Sequence, residues 1–190
     1  MTKNRLEAFS DGVLAIIVTI MVLEMKVPHS PEWDAVEPIL PVFLSYILSF
    51  IFAIIYWNNH HHVIHTIKHV NGKIMWANAH LLFWLSLLPF VSGWMGENHF
   101  ASKPVMLYGI VALMSGVAYY ILEMTIIKSH GPNSLLARAV GQDKKGVVSV
   151  VLYSIAVGIA LYYPLISCFI YVSVAIMWLI PDKRIENTVE

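Results

Sequence analysis

Residues 5–23 read Arg-Leu-Glu-Ala-Phe-Ser-Asp-Gly-Val-Leu-Ala-Ile-Ile-Val-Thr-Ile-Met-Val-Leu, an apolar run that opens with charged side chains. Its length approaches the ~20 residues that a helix needs to cross the core of a bilayer. Asp11 lies near the start of this run, and an ionised carboxylate costs roughly 3 kcal/mol near the centre of a spanning helix. Asp11 is therefore predicted to face a partner or a water-filled cavity.

The composition of the whole chain is typical of a membrane protein. Hydrophobic residues make up 58% of its 190 residues and charged residues 13%, and the mean hydropathy is +0.68. We predict an all-α membrane protein with one transmembrane domain over residues 1–190. Six apolar blocks bounded by charge, Pro or Gly predict six transmembrane helices, at about 9–25, 39–57, 74–94, 104–127, 147–163 and 164–180.

Lys and Arg predict the orientation of these helices. With a cytoplasmic N-terminus, six helices leave only Lys26 and Lys103 outside, and they place the other ten of the 12 Lys and Arg residues inside. Both termini are then cytoplasmic, and we expect a multi-pass protein of the cell inner (plasma) membrane. The ten are Lys3, Arg5, Lys68, Lys73, Lys128, Arg138, Lys144, Lys145, Lys183 and Arg184.

The first helix has an aliphatic stripe. At about 100° per residue, Ile16, Ile20 and Leu23 share one stripe, and Thr19 lies on the same broad face. Asp11 lies about 140° from Ile16, so a stripe that faced a central axis would turn Asp11 back into its own subunit. The pattern alone is typical of lipid contact or helix packing, and a pore constriction is the third alternative.

The second predicted helix ends in Trp57-Asn58-Asn59-His60-His61-His62-Val63-Ile64-His65. His61 and His65 are four residues apart, and His62, His65 and His69 are spaced i, i+3 and i+7, so either set could place the imidazoles of a metal or haem site on one helix face. Few carboxylates lie nearby in the sequence, and Cys168 is the only cysteine. We therefore expect neither a metal site nor a cofactor. We favour a hydrogen-bond network that links Arg5, Ser10 and Asp11 to Trp57 and a histidine of the second helix.

The motif Arg5-x-x-x-Phe9-Ser10-Asp11 at the start of an apolar helix, with Trp57-x-x-His60-His61 ending the next, resembles the transmembrane protein 175 family of potassium channels. The resemblance is to the bacterial kind, which has one six-helix repeat per subunit. It implies a homotetramer in the lipid bilayer, with the first helix of each subunit lining a central pore. The family's aliphatic constriction falls here on Ile16, Ile20 and Leu23, with Thr19 as a hydroxyl layer.

The resemblance also implies the function and the role of the motif. Its signature residues join an inter-helix network with the Trp and a His, and which imidazole of His60–His62 takes that role stays open. The chain contains no Thr-Val-Gly-Tyr-Gly filter, so the aliphatic ring is predicted to act as gate and selectivity element. We expect a cation channel that prefers K⁺ to Na⁺ and also passes Rb⁺ or Cs⁺, with no enzyme activity and no nucleic-acid partner.

Two other functions remain open. A secondary transporter usually shows paired helix interruptions in two repeats, and the Gly and Pro residues here do not pair between the halves. A membrane protein that binds a metal or haem would use the histidine cluster of the second helix.

Overall fold

The computed structural model describes residues 1–140 and 144–179, without the side chains of 139, 140 and 144. The regular elements in these ranges are all helical, which confirms the predicted all-α class. The predicted end of the last segment at 180, and Lys183 and Arg184, lie outside the described residues. The α-helices are α1 Lys3–Leu23, α2 Leu40–His65, α3 Gly72–Ser86, α4 Leu88–Glu97, α5 Ser102–His130, α6 Leu135–Val140, α7 Lys144–Ile159 and α8 Pro164–Leu179.

The first two helices extend beyond the predicted apolar blocks. The α1 helix begins at Lys3 rather than near residue 9, so the whole Arg5–Asp11 motif is helical. The α2 helix continues to His65 rather than ending near residue 57, so the histidine cluster forms its last turns. Hydropathy marks only the apolar part of a helix, and both extensions are polar turns that the apolar pattern does not detect.

The third predicted block, 74–94, is divided into α3 and α4. Pro89 explains the break, because it has no backbone N–H and its ring would clash with the carbonyl of Leu85. The chain tightens here, where the amide of Leu87 bonds the carbonyl of Trp84 at 3.2 Å. A further short helix, α6, lies in the loop that was predicted between the fourth and fifth blocks.

Several helices have membrane length. By length and composition, the helical stretches long and apolar enough to cross a membrane are Lys3–Leu23, Trp33–His65, Gly72–Glu97 and Ser102–His130. Both α7 and α8 are apolar but have 16 residues each, or about 24 Å of helix. The chain is therefore a membrane protein with several apolar helices.

Helix α5 forms the centre of the bundle, where it packs against α3, α4, α7 and α8. Helix α2 packs on α1, α4 and α8. The α2–α4 crossing is tight: a Cβ on Gly96 would lie 2.5 Å from the Cα of Val42. Ser45 bonds across the same crossing to the carbonyl of Ser92 at 2.9 Å. Small residues such as Gly96 and Ser45 let the backbones of two membrane helices approach each other closely.

The α1 helix packs against α2, α3 and α4, and it contacts them along one side. Beyond its far end, Lys26 pairs with Glu97 at the end of α4 at 2.8 Å. The hydrogen bond from Lys26 to Glu97 raises the pKa of Lys26. The pair is exposed, so we assign it a minor share of stability. The bundle thus positions α1 at its edge.

Candidate functional site

The two sides of α1 differ sharply in exposure. Ile16 is 58% exposed, Ile20 40% and Leu23 77%. Thr19 is also exposed, and its hydroxyl donates to the carbonyl of Ile16 at 2.9 Å. The aliphatic stripe therefore lies outside the packed core of its own subunit. The opposite side is buried against the bundle and consists of Leu6, Ser10, Leu14, Ile17 and Met21.

A groove of about 380 Å³ lies beside this stripe. Its walls include Ile16 and Ile20 of α1, and Pro89 and Phe90 of α4. Asp11 lies on the other flank of α1, where Trp57 of α2 meets it. The stripe and Asp11 thus face different surroundings.

A buried chain of hydrogen bonds holds α1 to α3 and α2. The amide nitrogen of Asn78 in α3 donates to the Ser10 hydroxyl at 2.9 Å. The amide oxygen of Asn78 lies 2.7 Å from Nε2 of His60 in α2. Ser10 is 0% exposed, and His60 and Asn78 are 1% exposed. Buried polar groups of this kind are costly unless they are paired, so the three residues act as one anchor.

The Ser10 hydroxyl determines which group donates and which accepts in each hydrogen bond of this anchor. The Ser10 hydroxyl donates to the carbonyl of Leu6 at 2.9 Å, so its oxygen accepts from Asn78. The Asn78 oxygen then accepts, which makes Nε2 of His60 the donor. Nδ1 of His60 is also buried, and it has no hydrogen-bond partner among the described residues. His60 is therefore held in one tautomer by Asn78.

Asp11 and Trp57 form a separate contact. Nε1 of Trp57 donates to a carboxylate oxygen of Asp11 at 3.0 Å. Asp11 is half-buried and Trp57 is 43% exposed. This hydrogen bond joins α1 to α2 closer to the surface than the Ser10–Asn78–His60 anchor does.

The structure divides the residues of the predicted network among separate contacts. Ser10 and His60 meet through Asn78, and Asp11 meets Trp57. His61 instead contacts Glu7, with Nδ1 3.1 Å from the carboxylate. Across residues 1–140 and 144–179, Arg5 is exposed and makes no hydrogen bond or ion pair.

Two residues of these contacts were not assigned by the sequence. Asn78 is the central member of the anchor, and its signal was a carboxamide inside an apolar block, where an unpaired amide is costly. Glu7 is the carboxylate that meets the α2 histidines. It lies 54 positions from His61 in the sequence, which explains why local spacing did not detect it.

A bundle with several apolar helices of membrane length defines a polytopic membrane protein. The family model described as the endosomal/lysosomal potassium channel TMEM175 matches residues 5–89. A potassium channel of Chryseobacterium sp. strain P1-3 is 55% identical over 190 residues, which are 100% of this chain and 99% of the relative. The chain belongs to the TMEM175 family, as a bacterial member.

Two further similarities are more distant. A potassium channel of Streptomyces collinus is 29% identical over 128 residues, which cover 63% of this chain and 62% of the relative. The crystal structure of a lysosomal potassium-selective channel TMEM175 homolog from Chamaesiphon minutus superposes with a TM-score of 0.78 at 24% identity. The alignment covers 95% of this chain and 97% of that one, so the two share a fold. The family is one of ion channels and not of enzymes.

Asn78→Ala tests the buried anchor. The change leaves Nε2 of His60 without its acceptor, at about 1–3 kcal/mol for a buried donor, while the Ser10 hydroxyl keeps its bond to the carbonyl of Leu6. We expect a clear loss of thermal stability in detergent. The matched control is Asn58→Ala, since Asn58 is exposed on α2. Equal losses in the two variants would show that the anchor does not stabilise the bundle.

Asp11→Ala tests the contact of Asp11 with Trp57. We expect a loss of about 0.5–1.5 kcal/mol, because water can replace the carboxylate at the exposed indole. Trp57→Phe should cost a similar amount, and the double variant should cost less than the sum of the two. Thermal unfolding of the four proteins measures this coupling. Additive losses would contradict a direct interaction.

Proposed function

We propose that this protein is a potassium channel in which α1 of each of four subunits lines a central pore. The observation that supports this most is the exposed aliphatic face of α1, with Ile16 58% and Leu23 77% exposed in the single subunit. The family membership and the potassium-channel relative that is 55% identical support the choice of ion. In this proposal the Ile16, Ile20 and Leu23 rings form the constriction, and Thr19 adds a hydroxyl layer.

The proposed subunit has six spanning segments. The α3 and α4 helices together form the third segment, broken at Pro89, and α7 and α8 form the last two. With this count, Lys26 and Lys103 lie outside and Lys3, Lys68 and Lys73 inside. Both termini are then cytoplasmic, and we place the protein in the bacterial inner membrane.

The proposed mechanism is passive conduction through an aliphatic constriction. A ring of Ile and Leu side chains can gate a pore by dewetting. An ion must give up part of its hydration shell to pass, and K⁺ is more weakly hydrated than Na⁺. The ring therefore favours K⁺, with Rb⁺ and Cs⁺ also permeant, and it discriminates less than a carbonyl filter would. Conduction in this scheme requires no cofactor.

The anchors of α1 have a distinct role in this proposal. Asp11 and Ser10 bond to α2 and α3 of their own subunit. They therefore position α1 and do not contact the ion. His60 is the histidine that we assign to this network, because its Nε2 bonds Asn78. Asp11→Ala should accordingly leave the K⁺ to Na⁺ permeability ratio of assembled channels nearly unchanged.

We expect the protein to be a homotetramer. One α1 helix per subunit offers too little wall to enclose an ion path, so cyclic symmetry must supply the rest. Native mass spectrometry in mild detergent should show four copies of the 21.5 kDa chain. A protein that stays monomeric or dimeric under conditions where it conducts would contradict the shared pore.

Ile16→Asn tests the constriction. Asn has a similar volume but supplies polar atoms that can solvate an ion, so the dewetting barrier should fall. We expect higher conductance and a K⁺ to Na⁺ permeability ratio that moves toward one. The measurement is the reversal potential under bi-ionic K⁺ and Na⁺ in planar bilayers. A passive channel follows the ion gradients, which also distinguishes it from a coupled transporter.

The matched control is Val22→Asn. Val22 lies about 120° from the stripe on the same helix and is 43% exposed, close to the 40% of Ile20. We expect a much smaller effect on both current and ion preference. Indistinguishable results for Ile16→Asn and Val22→Asn would exclude the stripe as the constriction.

A further inference from the structure

Three potential metal ligands meet where the start of α1 crosses the end of α2. A carboxylate oxygen of Glu7 lies 3.1 Å from Nδ1 of His61 and 3.5 Å from Nε2 of His65. One ligand atom from each of the three residues lies within 4.8 Å of the other two. The side chains of the two histidines are 43% and 42% exposed, and that of Glu7 is 19% exposed. The cluster is therefore accessible to an ion from solution.

The helices hold these ligands in place. His61 and His65 are four residues apart in α2, and their ring centroids lie 4.4 Å from each other. Lys3 donates from Nζ to the carbonyl of His65 at 2.8 Å, which ties the start of α1 to the end of α2. The Asp11–Trp57 bond joins the same two helices further along. The ligands thus project from two rigid elements rather than from a loop.

The geometry is close to that of a metal site. Ligand atoms bound about 2.0–2.1 Å from a tetrahedral Zn²⁺ stand about 3.3 Å apart. The two Glu7 distances, 3.1 and 3.5 Å, bracket that value. Only the two imidazoles must approach each other, which rotation of exposed rings allows.

The donor set indicates which ion would bind. Two imidazoles and one carboxylate suit Zn²⁺, Co²⁺ or Ni²⁺, whereas Ca²⁺ and Mg²⁺ prefer oxygen ligands throughout. Three protein ligands leave a fourth position for water.

Three other described histidines have ring nitrogens in hydrogen bonds. Nε2 of His60 bonds Asn78, and Nε2 of His80 accepts from Trp84. His130 lies beside His69, but its Nε2 accepts from the amides of Lys68 and His69, and its Nδ1 bonds the carbonyl of Ile126. His61 and His65 contact no acceptor except Glu7 within the described part of the chain. Among the described histidines, His61 and His65 are therefore the pair whose ring nitrogens both face one carboxylate, that of Glu7.

We propose that Glu7, His61 and His65 bind one transition-metal ion of the Zn²⁺ class per subunit, with water as a further ligand. The bound ion holds the start of α1 against the end of α2. The site belongs to a single subunit, and its existence does not depend on the pore assignment.

Metal titration of the full chain in detergent tests this site. The protein is purified without an oligohistidine tag, and Co²⁺ is added while its visible absorption is recorded. We expect saturation at one ion per subunit with the bands of a four- or five-coordinate site. His61→Gln and His65→Gln should each weaken Co²⁺ binding by at least about tenfold. Loss of a residue that only supports a metal ligand already lowers metal affinity by about 10–100-fold. Thermal unfolding supplies a second readout: Zn²⁺ should raise the melting temperature of the wild type but not of His65→Gln.

The matched control is His62→Gln. His62 follows His61 in the same helix, and its ring packs edge-on against His61 with centroids 5.8 Å apart. This change should leave Co²⁺ affinity and the Zn²⁺-induced shift nearly unchanged. Glu7→Gln keeps the size of the third ligand and should also weaken binding, so it tests the site even if a histidine variant fails to fold. Binding of Co²⁺ by Glu7→Gln as tight as by the wild type would overturn the proposal, as would equal binding by His62→Gln and His65→Gln.

Discussion

The position of α1 depends on Asn78, whose side chain pairs Ser10 of α1 with His60 of α2 from its place on α3. In an apolar interior, each of these polar groups is costly unless all are paired at once. Rotation or sliding of any one helix would break the chain of bonds. The anchor is therefore compatible with one rotation of the three helices toward each other, the rotation in which their apolar side chains are also packed.

The rotation of α1 separates its buried polar contacts from its exposed aliphatic stripe. Ser10, Leu14 and Ile17 turn into the bundle, so that Ile16 and Leu23 must turn away from it. The polar contacts of α1 lie in its first half, whereas the proposed constriction lies in its second half. In the proposed channel, a change in the aliphatic stripe would therefore alter conduction without removing the bonds that hold the helix. A change in the anchor acts mainly on stability and assembly.

The start of α1 is a second point of attachment to α2. Lys3, Glu7 and Asp11 lie one turn apart and contact His65, His61 and Trp57. These contacts are more exposed than the Asn78 anchor, so water and ions can compete for them. A metal ion at Glu7 would strengthen this end of the helix pair and leave the buried anchor unchanged.

The sequence by itself determined the membrane class, the helical fold and the aliphatic stripe, because in lipid an apolar run of this length pairs its backbone groups only as a helix, and helical periodicity then groups Ile16 with Ile20. It also indicated that Asp11 needs a partner. The tertiary structure alone decided which partners meet. Consecutive side chains of a helix point about 100° apart, so the three histidines 60–62 face different neighbours. Asn78 selects His60, and Glu7 meets His61, because helices distant in the chain cross at those depths.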